Sequence, residues 1–464
     1  MHPHLRALGQ TEPSCFWLDQ ANRPQASASL EDDEEADLAI VGGGFTGLWA
    51  ALQAAEADPR REIVLIEATR IAQGASGRNG GFADPSLTHG IENGSAHFPA
   101  EMEAILALGQ KNYLGFQASL HRHGIEAHFE ETGTLDVATR QYLVDDLHES
   151  LELMKRFGEE ASFLDRDALR AELDSPTYKG GVFRPKTALL DPARLAWGLL
   201  SAIKRLGVRV YEETPMLGVR RHGPGVEVRT AAGRIRAEKC VLATNAFKSP
   251  VRRVRRATVP IWDYVLVSEP LSGERMSALG WQRRQGVGEE TNQFHYYRLT
   301  HDNRILWGGY DAIYHFGSRI RPDHEQRRAS FEGLSASFFE TFPQLEGLSF
   351  THSWGGPIAS TTRFCLDAGT SHGGRVSWAG GYTGLGVVAS RFGARTALDL
   401  LDHPERPELS LSLVRKRPVP WPPEPLRSLV IGLTQRELAR ADRNQGRRGA
   451  WLRLLDRLGL GFNS

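Results

Sequence analysis

The chain has 464 residues, too many for one ordinary core, so two structural domains with a cleft between them are expected. Lysine plus arginine and aspartate plus glutamate number 56 each, a balance that gives no global field favouring nucleic acid or an acidic membrane. The three cysteines, Cys15, Cys240 and Cys365, are widely spaced and odd in number, which argues against a disulfide framework and against a zinc cluster.

The opening residues lack the charged and then apolar pattern of a signal peptide, and no later stretch is apolar long enough to span a bilayer. A soluble, cytoplasmic protein is expected, with no membrane span, no nucleic-acid partner and no metal. Residues 1–35 are polar and end in the acidic run Glu31 to Glu35, which reads as a mobile arm; Phe16 and Trp17 suggest that part of it docks. ADLAIV, GGGFTG and LWAALQAAEA then read as a buried strand, a turn and a helix, and EIVLIEA as a second strand. Together they form a βαβ unit.

Between about residues 100 and 175 two amphipathic helices interrupt this alternation. Strand and helix signals return at DPARLAWGLL, at VEVRTAAGRIRAEKCVLATNA and at GGRVSWAGGYTGLGVVASRF. Roughly residues 255–345 depart again, with strand-like VPIWDYVLVSEP and FHYYRLTHDNRILWGG. The expected organisation is a dinucleotide domain built from 36–100, 180–254 and 346–405, and a second domain from 101–179 and 255–345. Residues 406–464 form a Pro-rich link and a basic tail ending in WLRLLDRLGLGF, an amphipathic helix more suited to folding back than to a membrane.

Gly42, Gly44 and Gly47 stand as G-x-G-x-x-G between strand and helix, with Phe45 and Thr46 inside the motif. Gly42 allows a tight turn, Gly44 lets backbone approach a pyrophosphate, and Gly47 permits close helix-to-strand packing, while the helix start offers free amides and a positive dipole end. Glu67, followed by Ala68, closes the second strand and can accept ribose hydroxyls, which disfavours a 2′-phosphate. Strand, glycines, helix, second strand and acid agree on a dinucleotide. They do not choose between FAD and NAD.

The pair GGGFTG…E…GASGRNGG resembles the D-amino-acid oxidase superfamily of FAD-dependent amine oxidoreductases, and the resemblance continues through LDPARLAWGL, VLATNAF, WGGPIASTTRF and WAGGYTGLGVV. Within it the chain is most similar to the gamma-glutamylputrescine oxidase type, by GFTGL, GASGRNGG and PWPPEPLR…WLRLLDRLGLGF. The resemblance implies a glutathione-reductase-like FAD-binding Rossmann domain with an interleaved mixed-sheet substrate domain, of α/β and α+β class. It implies FAD beside Ala75, Ser76, Arg78, Asn79, Gly80 and Gly81, beside Ala243, Thr244 and Asn245, and against the main chain of Met216. The loop Gly381, Tyr382, Thr383, Gly384, Leu385 and Gly386 opens a helix, whose dipole in this family meets the flavin edge where negative charge gathers on reduction.

Three departures narrow the chemistry. The segment that carries a covalent histidine in some relatives holds Arg78 here, and Cys365 lies too late to match the cysteine of others, so FAD is expected to be non-covalent. Amino-acid oxidases of the family place a carboxylate-clasping arginine four residues after the tryptophan matching Trp354, where this chain has Ile358. Arg363 is a candidate substitute. Many relatives carry histidine in the glycine loop, where this chain has Leu385.

The resemblance therefore implies oxidation of an extended amine at its C–N bond, by hydride transfer to the flavin, imine hydrolysis and reoxidation by O2 to H2O2. No side-chain base is required. Tyr264, Tyr296, Trp354 and Ile358 are the expected substrate walls, and His295, by strand alternation, turns away from the site. Two other readings stand beside this one: a dehydrogenase passing electrons to a quinone or carrier, and a flavin-binding subunit without independent turnover.

Overall fold

The computed structural model describes residues 2–309 and 311–460. Two large sheets organise them. In the first, strand Glu34–Val41 lies parallel to Ile63–Ile66 on one side and to Arg234–Leu242 on the other. Arg209–Tyr211 and Val376–Gly380 extend this parallel array outward, and Asp367–Ser371 closes one edge antiparallel. The central strands are continuous apolar runs because both faces are covered: Leu38, Ile40 and Leu65 meet helices Phe45–Ala57, Pro192–Arg205 and Gly386–Asp402, while Ala39, Val41 and Val64 meet a second cluster containing Trp378.

The second sheet has nine strands and mixed direction. Its longest pairing joins Val259–Ser268 to Phe350–Ser360, antiparallel, with Asp263 opposite Gly356 and Ile261 opposite Ile358. Helix Arg328–Thr341 covers one face through Phe331, Leu334 and Phe338. The α/β class with mixed sheets agrees with the sequence reading. Strand pairing, however, puts Gly180–Arg184 beside Thr134–Ala138 and Phe350–Ser360 beside Val259–Ser268. Residues just after 180 and 346 thus join the second sheet rather than the dinucleotide unit expected for them, because ladder hydrogen bonds and not chain order decide membership.

The N-terminal arm is a correction to the reading of a mobile segment. Trp17 is buried, donates from Nε1 to the Asn79 carbonyl at 2.9 Å and packs beneath Trp354. The acidic run ends as the first strand, where Arg209 reaches Glu34 at 2.6 Å. The C-terminal tail folds back as expected: helix Leu426–Arg443 lies against the body and Ala450–Arg457 packs on it through Leu452. The final residues of the expected terminal helix, Gly461 and Phe462, lie outside the described residues. Among the described residues no helix is long and apolar enough to cross a membrane.

Candidate functional site

The glycine turn follows the first strand as its spacing requires. Gly42 has φ +115°, and a Cβ on Gly47 would lie 1.9 Å from the Gly42 carbonyl oxygen, so helix and strand meet at a distance only glycine allows. Glu67, at the end of the second strand, accepts the Gly43 N–H at 2.7 Å and thereby fixes the loop. The helix that begins at Phe45 has no side-chain cap on Gly44; Ser76 Oγ, from the neighbouring loop, accepts the Phe45 N–H at 2.8 Å. A second helix, Gly386–Asp402, begins at Leu385 and also lacks a side-chain cap.

Both helix starts, neither capped by its own N-cap side chain, open on one cavity of about 400 Å³. Its wall takes Gly44, Phe45 and Thr46 from the first turn, Ala75, Ser76, Arg78, Asn79 and Gly80 from the next loop, Ala243 and Asn245, and Tyr382 to Gly386. Tyr296 and Ile358 complete the expected residues that line it. Two helix N-termini facing one space leave backbone donors and positive dipole ends directed at it. Such a space fits a ligand with a phosphate group at one end and a group that accumulates negative charge at the other.

Other predicted residues support this wall without forming it. Gly42, Gly47 and Glu67 shape the turn from behind, and Gly81, at φ +76°, is wedged against the Leu190 carbonyl. Thr244 and Gly381 flank Asn245, whose Oδ1 accepts the Gly381 N–H at 3.3 Å. Ala68 is exposed, and Met216 packs against the cluster containing Val41 and Ile66.

Two expected pocket walls are placed elsewhere. Tyr264 is fully buried on the opposite face of its strand, edge-on to Phe331, with its hydroxyl donating to the His324 carbonyl at 2.9 Å. Successive strand residues point to opposite faces, so its neighbours Ile261, Asp263 and Val265 line the cavity instead. The expectation was out of phase by one residue. Trp354 shares the cavity face but lies further along it, buried in an apolar cluster that includes Trp17, with its Nε1 donating to the Arg78 carbonyl at 3.0 Å. His295 does turn away: Nδ1 meets Glu289 at 2.8 Å, Nε2 meets Ser337 Oγ at 2.9 Å, and the ring stacks on Trp307.

The arginines also resolve. Arg78 is buried, donates to the carbonyls of Gln73 and Gly355, and pairs with Glu325 at 2.7 Å. Arg363 is buried too, but its guanidinium donates to the Leu366 carbonyl at 2.6 Å and to the carbonyls of Ser412 and Leu413, and it does not line the cavity. It is therefore no substitute for the missing clasp.

Several cavity residues escaped the sequence reading. Asp263 accepts the Tyr296 hydroxyl at 2.6 Å and the Tyr264 N–H at 2.9 Å, and burial pushes its carboxyl up to about 6. Burial and the Asp263 charge hold the Tyr296 phenol well above its ordinary value, so it stays a donor. Gly308 makes room for that ring, since a Cβ there would lie 2.5 Å from Tyr296 Cζ. His89 lines the cavity with burial pushing it down to about 4, which keeps its imidazole neutral. Phe82, Phe294, Asp84, Asp136 and Arg184 add to the wall. The alternation in WDYVLVSEP, read in the correct phase, would have found Asp263; nothing local in sequence marks His89.

The chain matches the model of the family described as FAD dependent oxidoreductase, or DAO, over residues 37–400. It belongs to that family and is an FAD-dependent oxidoreductase. It is 30% identical over 394 residues to the gamma-glutamylputrescine oxidoreductase of Escherichia coli, covering 84% of this chain and 88% of that one. It is 28% identical over 406 residues to "Probable oxidoreductase OrdL" of Haemophilus influenzae, covering 83% and 87%. Among solved structures, glycine oxidase from Geobacillus kaustophilus superposes with a TM-score of 0.70 at 21% identity, covering 82% of this chain and 99% of that one. The family assignment agrees with the resemblance read from the glycine motif and GASGRNGG.

Proposed function

We propose that this enzyme oxidises the C–N bond of an extended amine, of the gamma-glutamylputrescine kind, with FAD held non-covalently. One observation carries the reading: two helix starts, Phe45–Ala57 and Gly386–Asp402, open on one cavity where Ile358 stands at the clasp position and the lining arginines, Arg78 and Arg184, are already paired with Glu325 and with Asp84 and Asp136. When bound, FAD supplies the acceptor for the hydride leaving the carbon next to nitrogen, the imine then hydrolyses in water, and O2 takes the electrons to give H2O2.

The residues of this chain divide the remaining work. Gly42 to Gly47 offer backbone amides to the pyrophosphate, and Glu67 accepts ribose hydroxyls once it yields the Gly43 N–H. Ala68, Met216, Ala243, Thr244 and Asn245 serve the nucleotide side, and the loop from Ala75 to Gly81 flanks the ring system. The start of helix Gly386–Asp402, with Gly381 to Leu385 before it, stabilises the charge that reduction creates. Phe82, Phe294, Tyr296 and Ile358 supply apolar walls that orient the substrate and exclude water. With Ile358 at the clasp position, Arg363 spent on carbonyls, and Arg78 and Arg184 held by Glu325, Asp84 and Asp136, the site lacks an arginine free to clasp a small α-amino acid by its carboxylate.

Two measurements test this. The purified protein is expected to carry FAD that trichloroacetic acid releases, and anaerobic addition of a gamma-glutamylated or other extended amine should bleach it. Bleaching by simple D-amino acids alone would overturn the substrate reading. Rapid dye reduction without aerobic peroxide would replace O2 by a carrier as the acceptor.

A further inference from the structure

Four aspartates line the cavity: Asp84, Asp136, Asp263 and Asp311. Three have a cation. Arg184 lies 2.6 Å from Asp84 and 2.8 Å from Asp136, and Arg327 lies 2.9 Å from Asp311. Asp263 differs. Among the described residues its hydrogen-bond partners are the Tyr296 hydroxyl and the backbone N–H groups of Tyr264 and Gly309, all neutral, and no lysine, arginine or histidine forms an ion pair with it. Neighbouring His295 has its two ring nitrogens engaged by Glu289 and Ser337.

A carboxylate removed from bulk water without a counter-charge is costly, and proteins usually pair it or remove it. Here the acid is placed on the cavity wall, and its three bonds leave about one of the roughly four lone-pair positions of a carboxylate open. Tyr296 fixes its orientation, and that ring is itself held edge-on by Phe82 at 5.9 Å between ring centres. Ile261, Val265 and Ile358 provide apolar surface on the same sheet face. An anion with an acceptor position still open, set in a largely apolar wall, is complementary to an alkyl chain ending in an ammonium.

We propose that Asp263, oriented by Tyr296, is the subsite that binds an ammonium group of the substrate and makes the enzyme select organic cations over uncharged molecules of the same shape. The proposal rests on reading this cavity as the amine-oxidising site. Ile358 removes a grip on carboxylate, and Asp263 supplies a grip on the opposite charge. Together they invert the polarity of recognition relative to an arginine-clasped amino acid.

The probe is 2,5-diamino-2,5-dimethylhexane, a diamine with no hydrogen on the carbons next to nitrogen, so it binds without being oxidised; the matching uncharged molecule is 2,5-dimethylhexane-2,5-diol. Binding to the FAD-loaded enzyme is followed by calorimetry and by perturbation of flavin absorbance. The diamine should bind wild type at least about tenfold more tightly than the diol, and Asp263→Asn should erase that preference while Asp263→Glu retains part of it. Equal affinity of diamine and diol for wild type, or a preference surviving in Asp263→Asn, would overturn the proposal. The wild-type comparison decides even where the asparagine variant fails to fold. Failure of every amine to bleach the flavin would sink the oxidative reading by itself, because the calorimetric preference is measured independently of turnover.

Discussion

Asp442, near the end of helix Leu426–Arg443, accepts a hydrogen bond from Asn292 Nδ2 at 2.6 Å, and further bonds from the backbone N–H groups of Asn292 and Gln293 at 3.1 Å. Asn292 and Gln293 line the cavity, as does Ala312, whose carbonyl accepts from Gln435 of the same helix. The tail therefore braces one rim of the site from outside. Asp442→Ala removes three hydrogen bonds to a carboxylate, each worth roughly 1.5–3 kcal/mol at most and less where solvent reaches. Its expected effect is local: faster amide hydrogen exchange over residues 290–294 and a KM raised several-fold, with kcat changed little. Unchanged exchange would show that the loop holds its shape without the tail.

Ser76 ties the GASGRNGG loop to the first helix start through the Phe45 N–H. A Cβ on Gly44 would lie 2.9 Å from Ser76 Oγ, so Gly44→Ala displaces that hydroxyl and narrows the approach to the turn. FAD affinity is expected to fall by about tenfold or more, roughly 1.4 kcal/mol. Ser76→Ala should do less, because it removes the tie but leaves the turn open. Fluorescence titration of the FAD-stripped protein would give both constants.

The dinucleotide half of the site was legible because each of its parts has a fixed spacing. The turn at Gly42, the packing at Gly47 and the acid at Glu67 depend on neighbours within about thirty residues, the span of a βαβ unit. The substrate half was legible only in part: Tyr296 and Ile358 line the cavity as read, but Tyr264 and Trp354 do not, since these residues meet only through sheet pairing. Asp263 faces the cavity because its strand lies beside Phe350–Ser360 in a register set by long-range hydrogen bonds, and a one-residue error of phase exchanges it for Tyr264. Trp354 had the right face, but it is buried in a cluster that includes the arm residue Trp17, far away in sequence. Arg363 looked available, yet both of its terminal nitrogens are held by backbone carbonyls away from the cavity.

Arg298 is a fully buried cation whose Nη1 donates to the Leu190 carbonyl at 2.7 Å and approaches those of Gly80 and Gly81 at 3.5 and 3.4 Å. Burial pushes it down only to about 10, so it remains charged at neutral pH. It also stands over the Trp17 ring at 5.6 Å. Arg298→Met would leave the Leu190 carbonyl unsatisfied and release the Gly80–Gly81 bend. A loss of about 2–4 kcal/mol is expected, read by denaturant unfolding, together with faster FAD release. Arg298→Lys should rescue little, as one ammonium cannot reproduce the guanidinium fork.

Burial raises the Asp263 carboxyl from an ordinary 3.8 to about 6 in the folded protein, opposed by the Tyr296 hydroxyl, the N–H groups of Tyr264 and Gly309, and the more distant His295. A raised acid binds more protons folded than unfolded between those two values. Its contribution to stability is therefore fully present below about pH 4 and is lost as pH rises through about 6. The shift corresponds to roughly 2–3 kcal/mol. Asp263→Asn cannot ionise, and its amide oxygen can still accept from Tyr296. The variant is thus expected to be more stable than wild type at pH 8, with the difference shrinking as the pH falls towards 4. Thermal unfolding of the FAD-stripped proteins at pH 8, 6 and 4.5 checks this. Adding the non-oxidisable diamine at pH 8 should close the gap from the other side, since a bound ammonium stabilises the ionised acid of the wild type and has nothing to pair with in the asparagine variant.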